Sequence, residues 1–124
     1  MQKPNVKTTT TESAGNLEWS STLLDGAAVT YEAAENAVTE LGNGWRLPTL
    51  DELETLVDRS CYDPAIDTEK FPDTRNQAYW TSTPFAWNET AVWVVNFNHG
   101  HVDIDHRSHW ACVRAVRTGQ GNEK

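Results

Sequence analysis

The segment Gly44-Trp45-Arg46-Leu47-Pro48-Thr49, followed by Leu50-Asp51-Glu52-Leu53, lies between two predicted helices and sets the start of the second. Thr49 and Glu52 have the spacing of a capping box, in which each side chain bonds the backbone N–H of the other residue. The box predicts a helix over residues 50–58, with an inner face of Leu50, Leu53 and Val57. We interpret Arg46 as structural, because its guanidinium can donate hydrogen bonds to several carbonyl groups at once.

The first helix is predicted directly before this segment. Thr30 can cap its N-terminus, and Glu32 complements the helix dipole at the same end. Gly42 and Gly44 end the helix. Its apolar residues recur at helical intervals and form one core-facing stripe of Tyr31, Ala34, Val38 and Leu41.

Strands are predicted on either side of the helices. Upstream, residues 17–24 carry the core candidates Trp19 and Leu23. Downstream, Ile66 and Phe71 are expected to pin an irregular loop to the core, and further strands are predicted over residues 79–83, 92–98, 101–105 and 111–117. Helices followed by a meander of strands indicate an α+β class, with two helices packed on a small, mainly antiparallel, twisted sheet with long irregular loops.

Alternation within the late strands assigns side chains to the two faces of the sheet. Trp80 and Trp93 are core candidates, and Trp93 shares its face with Val95 and Phe97. In the strand over residues 101–105, Val102 and Ile104 are expected to face inward. The opposite, outward face then carries His101, Asp103 and Asp105.

A chain of 124 residues is long enough for one domain with its own core. We expect a flexible N-terminal tail over residues 1–16, one domain over residues 17–118 and a polar tail over residues 119–124. Cys61 and Cys112 are interpreted as two buried thiols, with a disulfide between them left open.

The charge of the chain excludes two classes of partner. A formal net charge of −8 and a pI of about 4.8 argue against a grip on nucleic acid or an anionic membrane, since both need a basic face. The N-terminal residues lack the apolar run of a signal peptide. We therefore expect a protein that is cytoplasmic as synthesised, and delivery on a phage particle would need no signal peptide.

Five segments in this order resemble the DUF1566 family, which includes the C-terminal domain of the Legionella collagen-like adhesin (Lcl). They are residues 44–53, residues 63–67 with Phe71-Pro72, residues 79–84, residues 91–97 with Gly100, and residues 113–117. The resemblance implies a C-type-lectin-like fold and a binding function. The best-described member implies adhesion to sulfated glycans, a ligand class for which a net charge of −8 is unsuited.

All four histidines of the chain fall between residues 98 and 110, next to several Asp, Arg and Trp residues. Loops on a rigid scaffold often carry function, and lectin-like folds place variable ligand-binding residues in this late region. We therefore predict a recognition surface made of Trp87, Asn88, His99, His101, Asp103, Asp105, Arg107, His109 and Trp110. The alternative is a hairpin face that is merely solvated.

Metal binding and catalysis are two more specific alternatives for residues 98–110. Imidazole and carboxylate groups suit zinc or nickel, but their spacing matches no established metal signature. Trp87-Asn88-Glu89 is similar to the Trp-Asn-Asp calcium motif of C-type lectins, although the partner motif Glu-Pro-Asn is absent. We assign no cofactor and no catalytic residue, because the sequence has neither a nucleophile elbow nor a phosphate-binding glycine loop.

Three functional hypotheses follow. The first is a non-catalytic module that recognises a protein or glycan through a surface at about residues 85–110. The second is a cytosolic phage or prophage protein that binds and inhibits a host defence protein, which the acidic charge and small size favour. The third is a metal-dependent enzyme. The expected partner is thus a host protein or a glycan, and the oligomeric state is left open, with a dimer as one alternative.

Overall fold

The computed structural model describes residues 8–11 and 17–118. Helix α1 covers Tyr31–Leu41 and α2 covers Leu50–Glu54. The strands are β1 (Thr8–Thr11), β2 (Leu17–Thr22), β3 (Ala78–Pro84), β4 (Ala91–Asn96), β5 (His101–His106) and β6 (Arg114–Thr118). They form two three-stranded antiparallel sheets, in the orders β1-β2-β6 and β3-β4-β5. The predicted α+β class is confirmed.

The structure differs from the predicted N-terminal tail at β1. Thr8–Thr11 pairs with β2, in a register that sets Thr8 opposite Ser20 and Thr11 opposite Leu17. Threonine is β-branched and favoured in strands, which suits a run of four threonines to strand pairing. The other residues assigned to the tails, 1–7, 12–16 and 119–124, lie outside the described residues.

The segment over residues 44–53 joins the two sheets. Arg46 exchanges two backbone hydrogen bonds with Val116 of β6, at 2.9 and 2.8 Å. Two residues later the Pro48 carbonyl accepts a hydrogen bond from the Ser82 N–H of β3, at 2.7 Å. The Arg46 guanidinium holds the Glu52 carboxylate through two parallel hydrogen bonds of 2.7 and 2.8 Å. Arg46 therefore has a structural role, as predicted, but its main partner is a carboxylate and not the several carbonyl groups expected for it.

Both helices begin where the sequence predicts. The Thr30 hydroxyl accepts a hydrogen bond from the Ala33 N–H, and the buried face of α1 is the predicted stripe. The capping box of α2 is complete. Helix α2 is nevertheless shorter than the predicted span of residues 50–58. The Asp58 N–H donates to the Ala65 carbonyl instead of continuing the helix, so the chain leaves the helix axis to meet the loop before β3.

The core lies on both faces of the β3–β4 pair. One cluster packs α1 against Trp80, Val92 and Val94, and the other packs α2 against Tyr79, Val95 and Phe97. The prediction that Trp93 is a core residue was wrong: it is half-buried and contacts Phe85 edge to face, with ring centroids 5.8 Å apart. Because β4 is covered on both faces, alternation along it does not distinguish inside from outside.

Strand β5 lies beyond the part of the sheet that the core covers. Val102 and Ile104 remain 38% and 37% exposed, so the prediction that they face inward was wrong. Their cross-strand partners on β4 are Val95 and Trp93, and Val95 is fully buried. The core therefore ends at β4, and an alternating pattern on β5 reports only which side chains share a face.

Arg114 at the start of β6 is a buried cation that sequence analysis did not single out. Its side chain is 2% exposed and donates to the Ser20 carbonyl (2.7 Å), the Thr22 and Thr74 hydroxyls (3.0 and 2.8 Å) and the Asp73 carboxylate (3.2 Å). Its guanidinium also lies 5.0 Å from the centre of the Phe71 ring. The network ties β2, β6 and the long loop together.

Both cysteines are free thiols in the structure. Cys112 is fully buried, and burial raises the pKa of its thiol, whereas Cys61 is half-buried. Within the described residues, neither helix combines the length and the apolar character that crossing a membrane requires.

Candidate functional site

Strand β5 divides the predicted recognition surface into two ends. His99 and His101 lie at the turn between β4 and β5, whereas Arg107, His109 and Trp110 follow the other end of the strand. A six-residue strand is about 20 Å long at roughly 3.3 Å per residue, so one small ligand cannot span both groups. Asp103 lies between them, in the middle of the strand.

The turn end holds a pair of exposed histidines. The rings of His99 and His101 meet edge to face with centroids 5.8 Å apart. The adjoining Gly100 is buried, and its carbonyl accepts a hydrogen bond from the Arg59 guanidinium at 3.2 Å. This backbone is therefore fixed, while the two imidazoles face solvent.

The opposite end, which we call the tryptophan end, comprises Trp87, Asn88, Asp105, Arg107, His109 and Trp110. Trp87 is 87% exposed in the turn between β3 and β4, and Trp110 is 68% exposed directly before the buried Ala111. The Arg107 N–H donates to the Thr90 carbonyl at 2.9 Å, so the turn and the segment after β5 lie side by side. The structure thus brings together most of the predicted residues here.

Asp105 orients His109 at the tryptophan end. One oxygen of its carboxylate contacts the His109 Nδ1 atom in a pair four residues apart. The His109 side chain is 63% exposed, whereas Asp105 is 28% exposed. Because the carboxylate fixes the ring, the Nε2 side of His109 is presented to solvent.

Arg107 is anchored rather than free. Its guanidinium lies over the Tyr31 ring, 4.8 Å from the ring centre, and the Tyr31 N–H donates to the Arg107 carbonyl at 3.1 Å. Burial and the adjacent Glu35 carboxylate raise the pKa of the Tyr31 phenol. Arg107 forms one wall of a groove of about 840 Å³, whose other lining residues are Thr30, Tyr31, Glu32, Glu35, Glu89, Thr90, His106 and Ser108.

His106 belongs to this groove although sequence analysis left it out. The two-residue period selected His101, Asp103 and Asp105, and His106 falls on the opposite face. Its Nδ1 atom accepts the Ser108 N–H at 3.1 Å and lies 2.7 Å from the Ser108 hydroxyl. The ring therefore caps the turn after β5, a role that only a turn prediction for residues 106–109 could have indicated.

Asn88 also holds a turn. Its side-chain oxygen accepts hydrogen bonds from the N–H and the hydroxyl of Thr90, at 3.0 and 2.8 Å. This atom is the one that a calcium ion would need from the Trp87-Asn88-Glu89 motif. Across residues 17–118, no three His, Cys, Asp or Glu side chains lie close enough together to hold a metal ion.

The comparison with protein families confirms the resemblance drawn from the sequence. The model of the Lcl C-terminal domain family matches residues 8–117, a range that begins at β1 and ends inside β6. No curated protein matches this chain. The family is one of adhesin-like, non-catalytic binding domains. With a match over nearly its whole length, the chain belongs to the Lcl C-terminal domain family.

Proposed function

We propose that this chain is a non-catalytic binding module that contacts its ligand through the tryptophan end. The observation that carries the proposal is the pair of exposed indoles, Trp87 and Trp110, which are 87% and 68% exposed. Large aromatic side chains have much apolar surface to bury, and two exposed indoles at the same end of the sheet favour a contact surface there.

The backbone beneath these rings is held in place, which favours binding. Ala111 exchanges two backbone hydrogen bonds with Val29, both at 2.9 Å, directly after Trp110. Arg107 is anchored on Tyr31, and Asn88 fixes the turn that carries Trp87. A ligand that meets a preorganised surface immobilises few additional groups, so less conformational entropy is lost on binding.

The chemistry of the tryptophan end favours a glycan without sulfate groups. The indole faces can cover the apolar faces of sugar rings, while Asp105 and His109 can accept and donate hydrogen bonds to hydroxyl groups. A net charge of −8 repels a polyanion. An uncharged or cationic glycan is therefore the first ligand class that we propose.

A host protein is the second candidate ligand, which includes the hypothesis of a phage or prophage inhibitor. Tryptophan and arginine are the residues most enriched at the energetic centres of protein interfaces, and this end of the sheet presents Trp87, Arg107 and Trp110. The acidic net charge would steer the chain towards a basic partner.

The test compares variants of the tryptophan end with a matched control. Trp87→Ala and Trp110→Ala are assayed on a glycan array and in pull-downs from bacterial lysate, beside Tyr62→Ala. Tyr62 is 78% exposed, but it lies in the loop that pairs with the turn after β4. We expect each Trp variant to lose about tenfold or more in affinity, as hot-spot residues do, and Tyr62→Ala to bind like the wild type.

The two ligand classes are separated by which assay responds. If the wild type binds the glycan array and the Trp variants do not, the ligand is a glycan. If the wild type captures a protein from the lysate and the Trp variants do not, the second candidate is supported. Undiminished binding by both Trp variants would show that the tryptophan end is not the contact surface. Failure of the wild type in both assays would contradict a binding function.

A further inference from the structure

Strand β5 has an outer edge that no described strand covers. In the sheet β3-β4-β5, only β4 pairs with it among the strands in residues 8–11 and 17–118. Five of its six side chains are exposed, and Val102 and Ile104 contribute apolar surface. An open strand of this length is a template for pairing with another strand.

The backbone groups that point outward can be identified from the register. The Arg107 N–H donates to the Thr90 carbonyl, which makes this a hydrogen-bonded pair. Such pairs alternate along an antiparallel ladder, so the pairs on β5 that bond β4 are those of His101, Asp103 and Asp105. The N–H and C=O groups of the residues between them, Val102 and Ile104, therefore face the open edge.

We propose that β5 pairs with β5 of a second copy of this chain, antiparallel and centred on Asp103. The sequence His101-Val102-Asp103-Ile104-Asp105 supports this partner because its pattern is complementary to itself when reversed. In this register Val102 of one copy lies opposite Ile104 of the other, so the residues with outward backbone groups bond each other. On the opposite face, His101 of each copy lies opposite Asp105, an attractive pair that occurs twice.

Other registers are less favourable. Centring the pair on Ile104 sets Asp103 opposite Asp105 twice and His101 opposite Arg107, and like charges directly opposite destabilise a ladder. Centring it on Val102 leaves only residues 101–103 of the strand paired. The register centred on Asp103 pairs five residues of each copy and contains one unfavourable contact, between the two Asp103 side chains.

Asp103 sets the strength of this association. Its carboxylate faces its own copy across the two-fold axis, and it also accepts the outward Ile104 N–H at 2.8 Å within one chain. Both effects oppose pairing. A ladder of this length buries less than the roughly 1,000 Å² typical of stable interfaces. We therefore expect a weak, reversible dimer in which Asp103 acts as a gatekeeper.

Two substitutions on the same face of β5 test the register because they act in opposite directions. Sedimentation of the full chain is measured from about 10 μM to about 1 mM, the range in which weak dimers dissociate. Asp103→Asn removes the repulsive contact and should tighten the dimer about twofold to fivefold. Asp105→Asn weakens two attractive contacts and should loosen it by a similar factor. His109→Ala controls for the contact within the chain: it releases the Asp105 carboxylate without neutralising it, and so should not loosen the dimer.

Ile104→Pro tests whether the outer edge of β5 forms the interface between the two copies. It removes the outward N–H while leaving the hydrogen bonds to β4 intact, as proline on an edge strand does. We expect the Asp103→Asn, Ile104→Pro double variant to be monomeric and folded by circular dichroism. A monomer at every concentration for wild type and Asp103→Asn would overturn the proposal. A dimer that survives Ile104→Pro, or two Asn variants that shift association in the same direction, would overturn it as well. None of these measurements needs the ligand proposed above, so the two proposals fail independently.

Discussion

Removing the Arg114 side chain should cost more stability than any other single truncation of a charged residue described above. Four hydrogen-bond acceptors meet its guanidinium, and the Ser20 residue among them is fully buried. Removing one member of a buried charged network costs about 3–5 kcal/mol. Because Asp73 is 42% exposed, water replaces part of its ion pair, and we expect about 3 kcal/mol for Arg114→Ala.

Arg114→Met separates the polar contribution from packing. Methionine keeps most of the volume beside Phe71 and leaves the Ser20 carbonyl unpaired, which costs about 1–3 kcal/mol. Its expected loss is therefore smaller than that of Arg114→Ala. Both losses are large against the roughly 5–15 kcal/mol that stabilise a domain of ordinary size. Urea denaturation followed by tryptophan fluorescence measures them, since the chain has six Trp residues.

Arg46→Ala is the control for this experiment. Its guanidinium makes two hydrogen bonds to Glu52, but the side chain is 42% exposed, and exposed ion pairs contribute about 1 kcal/mol or less. Equal losses for Arg114→Ala and Arg46→Ala would refute the reasoning, because burial would then not decide the cost. A loss below about 1 kcal/mol for Arg114→Ala would refute it too.

Three further predictions concern pH, thiol reactivity and a turn. The Arg46 hydrogen bonds hold the pKa of Glu52 below its usual value of 4.5, so its ionised form stabilises the fold above that pH and the contribution disappears as pH falls through the lowered pKa. Glu52→Gln should flatten the loss of stability between about pH 5 and pH 3 in acid titrations. Cys61 should react with Ellman's reagent in the folded chain, and Cys112 only after denaturation, because it is buried and the pKa of its thiol is raised. Gly100→Ala should destabilise the fold by about 1–3 kcal/mol in urea titrations, since its φ is 82° and a Cβ would lie 2.9 Å from a methyl carbon of Val57.

Each of these has an outcome that would contradict it. An unchanged acid profile in Glu52→Gln would show that this carboxylate does not couple folding to pH. Two equally fast thiols in the folded chain would contradict the burial of Cys112. A neutral Gly100→Ala would show that the turn can shift. Gly44→Ala is the control for the backbone contribution, because its φ is also positive, at 84°, but an added Cβ there meets nothing within 4 Å.

Local signals made the helices predictable, whereas long-range packing decided what could not be predicted. A capping box and a helical stripe involve residues a few positions apart, and both were confirmed at α1 and α2. The exposure of Val102 depends on where the core ends across the sheet, which alternation within β5 does not encode. The partners of Arg114 are likewise distant, since Ser20 and Asp73 lie 94 and 41 residues away in the chain.

The sequence could indicate which segment forms the recognition surface, but not how its residues are arranged in space. Composition pointed to the segment that contains His99, Asp105 and Trp110, all of which lie on the surface. The length of β5 separates His99 from Asp105 and Trp110. The capping role of His106 depends on a turn whose geometry the sequence pattern did not specify. The role of the recognition surface in ligand binding stays a prediction that the Trp87 and Trp110 variants will test.

The antiparallel pairing of β2 with β6 determines how the domain would respond to mechanical load. Leu17 lies opposite Thr118, so the two ends of residues 17–118 emerge next to each other from the same pair of strands. A force that separates these ends opens the ladder one hydrogen bond at a time, the geometry of unzipping, which resists little. A force between Thr118 and a ligand held at Trp110 instead runs along the strand itself. Residues 111–118 are already largely extended, so their covalent backbone carries that pull and the hydrogen bonds to the neighbouring strands need not break. Resistance should therefore depend strongly on where the chain is anchored.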